Sequence, residues 1–365
     1  MATGEGMPEE LNPRHLKKRL VQLGLLIVLI VLIVWLTPGL GPLRTRLDHA
    51  SAGWLVAAAG LELLSTLSYI VVFRAVFCPR MSWRTSYQIG MAEQAANSLL
   101  PAGGAGGLAL GAWALHRGGM SAEHIARRTV AFFFLTSLAN VGFVALFALG
   151  FALNVFHGDT MPWFTYAFGI AAAVAIAITV IAPTLHRRWL ARRAPLAPEA
   201  SRIHRWIREA LDAVGYGAAD TLLLLRTRPF PVLSGSIGYM AFDIAALGAC
   251  FAAFGPSPSF GVLVFGYLVG QLGGLIPIPG GIGGTEGGLI GVFAIYHVPV
   301  SASAAAVLAY RALQLWIPAV LGSIAFVQLR STLSKEAQPA EVCAPLSEQL
   351  PVVHLPRSQE QAGTA

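Results

Sequence analysis

The sequence predicts an all-α polytopic membrane protein, with about six full spans and two glycine-broken re-entrant helical hairpins arranged as an inverted repeat. Three observations predict it. Of the 365 residues, 55% are hydrophobic and only 12% are charged, against about 25% charged in soluble domains, and mean hydropathy is +0.64. Apolar runs long enough to cross the ~30 Å hydrocarbon layer recur along the chain. Finally, two stretches dense in glycine and proline, Leu99–Gly107 and Leu275–Gly288, interrupt otherwise apolar sequence in the two halves. Paired interruptions of this kind are the sequence mark of a transporter's binding region.

The elements follow in order. Residues 1–19 carry Arg14, Lys17, Lys18 and Arg19, which assigns the N-terminus to the cytoplasm by the excess of Lys and Arg on that side. The run 20–36 reads as a first span rather than a cleavable signal, because it is long and ends in Thr37-Pro38-Gly39. Further spans are expected near 52–77, 129–153, 161–183, 230–254 and 302–329. The connections 154–160 and 255–259 lack Lys and Arg and suit the outer face.

Charge also decides how the broken regions run. Were 84–117 to cross once, the loop 186–228 with Arg187, Arg188, Arg192, Arg193, Arg202, Arg205, Arg208, Arg226 and Arg228 would lie outside. The region 84–117 is therefore expected to return to the cytoplasm, and 260–298 to enter and leave from outside. Half-helices are expected at 105–116 and 285–297, each reaching about half the bilayer. Arg44 and Arg46 are the one mild violation of the charge rule.

Within the basic loop, Ile203, Trp206, Ile207, Ala210, Leu211 and Val214 recur at helical spacing. This predicts an amphipathic helix, lying either on the membrane surface or against the bundle's own cytoplasmic face. The transmembrane domain is thus expected over 20–330. A polar, Pro-containing tail follows over 331–365, cytoplasmic and disordered.

Several chemistries are unsupported. No Gly-x-x-x-x-Gly-Lys occurs, and neither glycine run matches Gly-x-Gly-x-x-Gly, so nucleotide binding is not expected. The arginine cluster beside membrane spans reads as contact with anionic lipid rather than nucleic acid. Cys78, Cys250 and Cys343 form no metal-binding spacing, and no disulfide, metal or cofactor is expected.

What remains is polar chemistry at membrane depth. Glu286 is a carboxylate inside the second glycine stretch, where ionisable groups are costly and usually functional. Glu62, Ser65, Thr66 and Tyr69 fall at i, i+3, i+4 and i+7, a polar stripe on an apolar helix. Arg311 and Gln314 share a face with Pro318; Glu93 and Asn97 are four apart; Asp243 lies one turn after Tyr239. Deep charges pair, so Glu286 or Asp243 is expected to meet Arg311.

Backbone N–H groups at the half-helix starts, from Gly103, Gly104 and Gly106 and from Gly280, Gly281, Gly283 and Gly284, could hold an anionic group such as phosphate. The competing reading is close helix packing. Gly103, Gly107 and Gly111 are four apart, as are Gly280, Gly284 and Gly288.

At these residues the chain resembles the lysylphosphatidylglycerol synthase transmembrane region, also called the flippase-like domain family. The likeness rests on Pro277-x-Pro279-Gly-Gly-x-Gly-Gly-x-Glu286, Tyr310-Arg311, Trp316-x-Pro318, Asn97-x-Leu-Leu-Pro101 and Gly106. Membership implies an all-helical lipid-translocating module, in some relatives moving aminoacylated phosphatidylglycerol. Relatives often carry Gly-Glu followed by Arg in the first hairpin, where this chain has Gly106-Gly107-Leu108-Ala109. Only about 35 residues follow the last expected span, so the soluble transferase domain of the synthases is not expected.

The expected function is therefore a membrane lipid flippase or translocase in the inner (plasma) membrane, not an enzyme, with both termini cytoplasmic. It would act on an anionic or zwitterionic (glyco)phospholipid or an isoprenoid-linked lipid headgroup. The alternative is a non-transporting membrane subunit that presents lipid to a separate lipid-biosynthetic enzyme as partner. Oligomeric state is not legible.

Overall fold

The computed structural model describes residues 21, 45, 48–99, 105–156, 162–192, 202–275 and 283–335. The expected first span 20–36, apart from Val21, and the tail beyond 335 lie outside the described residues, as do Gly103, Gly104, Gly280 and Gly281. The elements among the described residues are helical. They are α1 (Ala52–Phe77), α2 (Trp83–Leu99), α3 (Ala105–Arg117), α4 (Ala122–Ala152), α5 (Pro162–Arg192), α6 (Arg202–Thr227), α7 (Pro229–Phe254), α8 (Phe260–Gly270), α9 (Gly284–Ile295) and α10 (Val300–Lys335). A 3₁₀ turn, Gln271–Leu275, follows α8.

Local chemistry sets several of the boundaries. Ser121 caps α4 by accepting from the His124 N–H, and Glu123 sits in the first turn, where the helix dipole favours it. Pro229 opens α7 at a position whose N–H has no helical partner to lose. α1 stops at Cys78, whose backbone is extended, just before Pro79. Cys250 is a buried free thiol. Cys78 is disulfide-bonded, contrary to the expectation from spacing, which does not show which cysteines the fold brings together.

Among the described residues, five helices are long and apolar enough to cross a membrane: α1, α4, α5 over Pro162–His186, α7, and α10 over Val300–Ser331. The chain is a multi-pass membrane protein. Large apolar side chains such as Val56, Leu64, Phe133, Ile170, Ile178, Ile324 and Val327 face outward, as lipid contact requires. α4, α5 and α10 each extend past the expected spans at an end that carries arginines, since a helix need not stop where the hydrocarbon does.

The glycine-broken regions form two antiparallel helix pairs. Gly107 sits on Asn97 and Gly111 on Glu93, so α3 doubles back along α2. In the second region Gly266 meets Phe293, Gly270 meets Leu289 and Gly273 meets Gly284, so α9 doubles back along α8 and its 3₁₀ turn. The packing reading of the glycine spacing therefore holds for Gly107, Gly111, Gly284 and Gly288.

α1 and α7 form the most extensive helix contact. Val72 lies against Gly235, Ser68 against Gly238, and Ser65 donates to the Tyr239 carbonyl at 2.8 Å, so these two helices also run antiparallel. α10 packs on α2, with Gly322 against the Met91 carbonyl, and α4 packs on α8 through Phe151 and Phe265.

The long helices thread two apolar cores. One is built around α8 and α9, with Phe147, Phe151, Leu247, Phe251, Phe265, Leu289 and Phe293. The other is built around α2 and α3, with Phe73, Phe77, Ile89, Leu110, Leu115, Phe132 and Phe326. Between them, each of three long helices turns polar: Glu62, Ser65 and Thr66 on α1, Ser236 and Asp243 on α7, Arg311 and Gln314 on α10.

The amphipathic segment expected over 201–214 is longer, Arg202–Thr227, and packs against α4 and α5. Asp220 accepts from Arg127 of α4 at 3.0 Å, and Tyr216 stacks edge-on against His186 of α5. Ile203, Leu211 and Val214 remain exposed. Of the two alternatives for this helix, the structure shows packing against the bundle.

Candidate functional site

The polar layer centres on Asp243, which is 2% exposed on α7. Its carboxylate is met by three side chains from two other helices. Tyr267 of α8 donates through its hydroxyl, Tyr310 of α10 donates at 2.9 Å, and Gln314 donates from Nε2 at 3.1 Å. Tyr310 also accepts from Gln271 at 3.2 Å and from Gln314. A buried carboxylate is tolerated only when its lone pairs are filled in this way.

Gln314 passes the network on by accepting from Arg311 Nη1. Arg311 Nε in turn donates to Glu286 Oε1 at 2.9 Å, and the two side chains are 8% and 14% exposed. The expected pairing of Arg311 is therefore direct with Glu286 and indirect, through Gln314, with Asp243. α7, α8, α9 and α10 all contribute.

Glu286 has a second task. It is the third residue of α9, and its Oε2 accepts from the Gly283 N–H at 2.6 Å. That is half of a capping box, so part of the α9 N-terminus is already answered by the chain's own carboxylate. An anion arriving here would meet Arg311 and the remaining first-turn N–H groups, in competition with Glu286. Gly283 itself has φ +86° with no atom near a would-be Cβ. Gly283→Ala is expected to cost about 1 kcal/mol of backbone strain without a steric clash. A small drop in melting temperature with an unaltered fold would show it.

Across the α1–α7 contact, Glu62 is 3% exposed and stands at the level of Asp243, each one turn beyond the Ser65–Tyr239 hydrogen bond on its own helix. The other Glu62 oxygen, Oε2, is buried without a partner. Ser65, Thr66 and Tyr69 are buried as well, so the whole predicted stripe faces inward.

The first hairpin builds a separate and simpler polar spot. Asn97 Oδ1 accepts from the Gly107 N–H at 2.9 Å, beside buried Gly106. Glu93 is 3% exposed, and its carboxyl lies against the Cα of Gly111, 3.1 Å from where a Cβ would stand. Tyr69 and Tyr239, ring to ring at 5.5 Å, separate this spot from Asp243. The structure thus brings Glu62, Asp243, Glu286, Arg311 and Gln314 into one network and leaves Glu93, Asn97 and Gly106 in another.

Sequence reasoning missed Tyr267 and Gln271, and took Tyr310 only as part of a motif. A tyrosine in an otherwise apolar helix gives no sign of its partner. Among the described residues, no group of three or more His, Cys, Asp or Glu could hold a metal ion.

A family model described as the lysylphosphatidylglycerol synthase transmembrane region matches residues 21–322. The chain belongs to this family. The match spans every helix from α1 to α9 and α10 as far as Gly322, and so takes in both hairpins and the whole polar layer.

Two relatives, each named UPF0104 membrane protein, come from Methanothermobacter thermautotrophicus (strain ATCC 29096 / DSM 1053 / JCM 10044 / NBRC 100330 / Delta H). One is 38% identical over 93 residues, covering 25% of this chain and 26% of that relative. The other is 24% identical over 320 residues, covering 82% of this chain and 92% of that relative.

Proposed function

We propose that this chain is a lipid translocase of the plasma membrane, with cytoplasmic termini. It moves an anionic or zwitterionic headgroup of a (glyco)phospholipid or isoprenoid-linked lipid through the polar layer while the acyl tails stay in the bilayer. The observation that carries this reading is a buried ionic network between two apolar cores, with Arg311 beside the N-terminus of a half-helix. A headgroup phosphate is a bidentate match for a guanidinium, and such polar groups at membrane depth mark substrate paths.

The helix arrangement supports an inverted repeat of α1–α4 and α7–α10. Exchanging the two sets turns the α2–α10 contact into α8–α4, and the hairpin α2–α3 into α8–α9. The two opening helices, α1 and α7, are antiparallel partners, as inversion requires. Alternating access by rocking of one half against the other follows from that geometry. α2–α3 and α8–α9 are then the re-entrant hairpins, entering from opposite faces.

No catalytic step is proposed, and the chain acts as a carrier rather than an enzyme. Reconstitution into liposomes with fluorescently tagged lipids tests this: the reading expects protein-dependent exchange between leaflets. A lipid-presenting subunit would instead show no exchange and would co-purify with a lipid-biosynthetic enzyme.

A further inference from the structure

The polar layer holds more carboxyl groups than one cation can balance. Glu62 and Asp243 are buried at one level of the α1–α7 contact, Glu286 pairs with Arg311, and Arg311 is the sole guanidinium the network engages among the described residues. Three carboxylates against one guanidinium would bury a net charge of minus two, which a low-dielectric interior does not sustain.

Geometry selects the pair that relieves it. Glu286 has a cationic partner and a backbone donor. Asp243 has three donors. Among the described residues Glu62 Oε2 is buried with no donor, and two carboxyl groups buried side by side, one turn beyond the Ser65–Tyr239 hydrogen bond on each helix, need a proton between them.

We propose that Glu62 and Asp243 form a proton-binding pair whose loading follows headgroup occupancy at Arg311. The coupling rests on the translocation reading above; the proton site does not. With one proton on the pair, the layer carries minus one. Docking of a singly charged phosphodiester on Arg311 would make it minus two, and a second proton, taken from water onto the remaining carboxylate, restores minus one. One proton therefore accompanies each anionic headgroup, an electroneutral symport.

Among the described residues, titratable and charged groups stand around the pair on several helices. Tyr239 and Cys250 lie on α7, Tyr267 on α8, Tyr310 and Arg311 on α10, and Glu286 on α9; Glu93 of α2 stands beyond Tyr69 and Tyr239. A proton fits the pair better than a metal ion, because no group of three acidic, His or Cys side chains surrounds it among the described residues.

Two measurements on the purified full chain test it. In infrared difference spectra across a pH step, wild type should show the carbonyl band of a protonated carboxylic acid, and Glu62→Gln should lose that component. An unchanged band in Glu62→Gln, or in Asp243→Asn should the first variant fail to fold, overturns the proton site. In proteoliposomes containing fluorescent phosphatidylglycerol, a one-unit pH gradient should drive a roughly tenfold enrichment of label in the alkaline-side leaflet if one proton moves per lipid.

Glu62→Gln should abolish that enrichment. Exchange that ignores the pH gradient overturns the coupling while leaving translocation standing, and enrichment driven by a sodium gradient overturns the proton assignment. No exchange under any gradient, with the infrared band present, overturns translocation and coupling together and leaves the proton site.

Discussion

Arg311→Ala is expected to stop lipid exchange and to be the most destabilising single change in the polar layer. It leaves Glu286 with only the Gly283 N–H, removes a donor from Gln314, and strands buried negative charge. Breaking a buried pair by deleting one partner costs about 3–5 kcal/mol, whereas replacing both partners with groups of similar volume is often neutral. The double variant Arg311→Met with Glu286→Gln should therefore recover most of the lost melting temperature without recovering exchange. That split separates the network's structural role from its binding role. Recovery of exchange in the double variant would show that the ion pair only holds the fold.

The second large effect concerns glycines within one hairpin, where neighbouring positions should respond with opposite sign. A Cβ on Gly273 would stand 2.1 Å from the Gly284 carbonyl oxygen, and one on Gly288 2.3 Å from that of Gly270. Both clashes are with backbone, so Gly273→Ala and Gly288→Ala must push α8 and α9 apart, at a cost of about 3 kcal/mol or more, the upper end of overpacking penalties.

Gly287 and Gly291 lie on the same helix with nothing within 4 Å of a Cβ. Alanine there should stabilise by about 0.4–1 kcal/mol through reduced freedom of the unfolded chain. Thermal melting of the four purified variants gives the order directly. Equal behaviour of Gly287→Ala and Gly288→Ala would contradict the hairpin register.

How much of this was legible depended on whether the physics is local. The stripe from Glu62 to Tyr69 was readable because four polar residues on one face of an apolar helix have to be buried together. The hairpins were readable because proline and clustered glycine cannot continue a span. The Glu286–Arg311 pair was readable because deep charges need partners.

The three donors around Asp243 were not readable. They arrive from α8 and α10, and only the tertiary fold brings Tyr267, Tyr310 and Gln314 to one carboxylate. The same holds for the depth of α6. Its amphipathic period was plain, but the Asp220–Arg127 contact that seats it on α4 joins residues 93 positions apart. The capping of α9 by Glu286 was legible in principle from a carboxylate at the third helical position, yet its membrane depth drew attention to binding alone.

The central claim is that Arg311 and its network receive a lipid headgroup. The most direct measurement is the rate of leaflet exchange of fluorescent phosphatidylglycerol in proteoliposomes, for wild type, Arg311→Ala and protein-free vesicles side by side. The account predicts exchange for wild type well above the protein-free rate, and exchange at the protein-free rate for Arg311→Ala. Wild-type exchange equal to that of empty vesicles, or a folded Arg311→Ala that matches wild type, would contradict it.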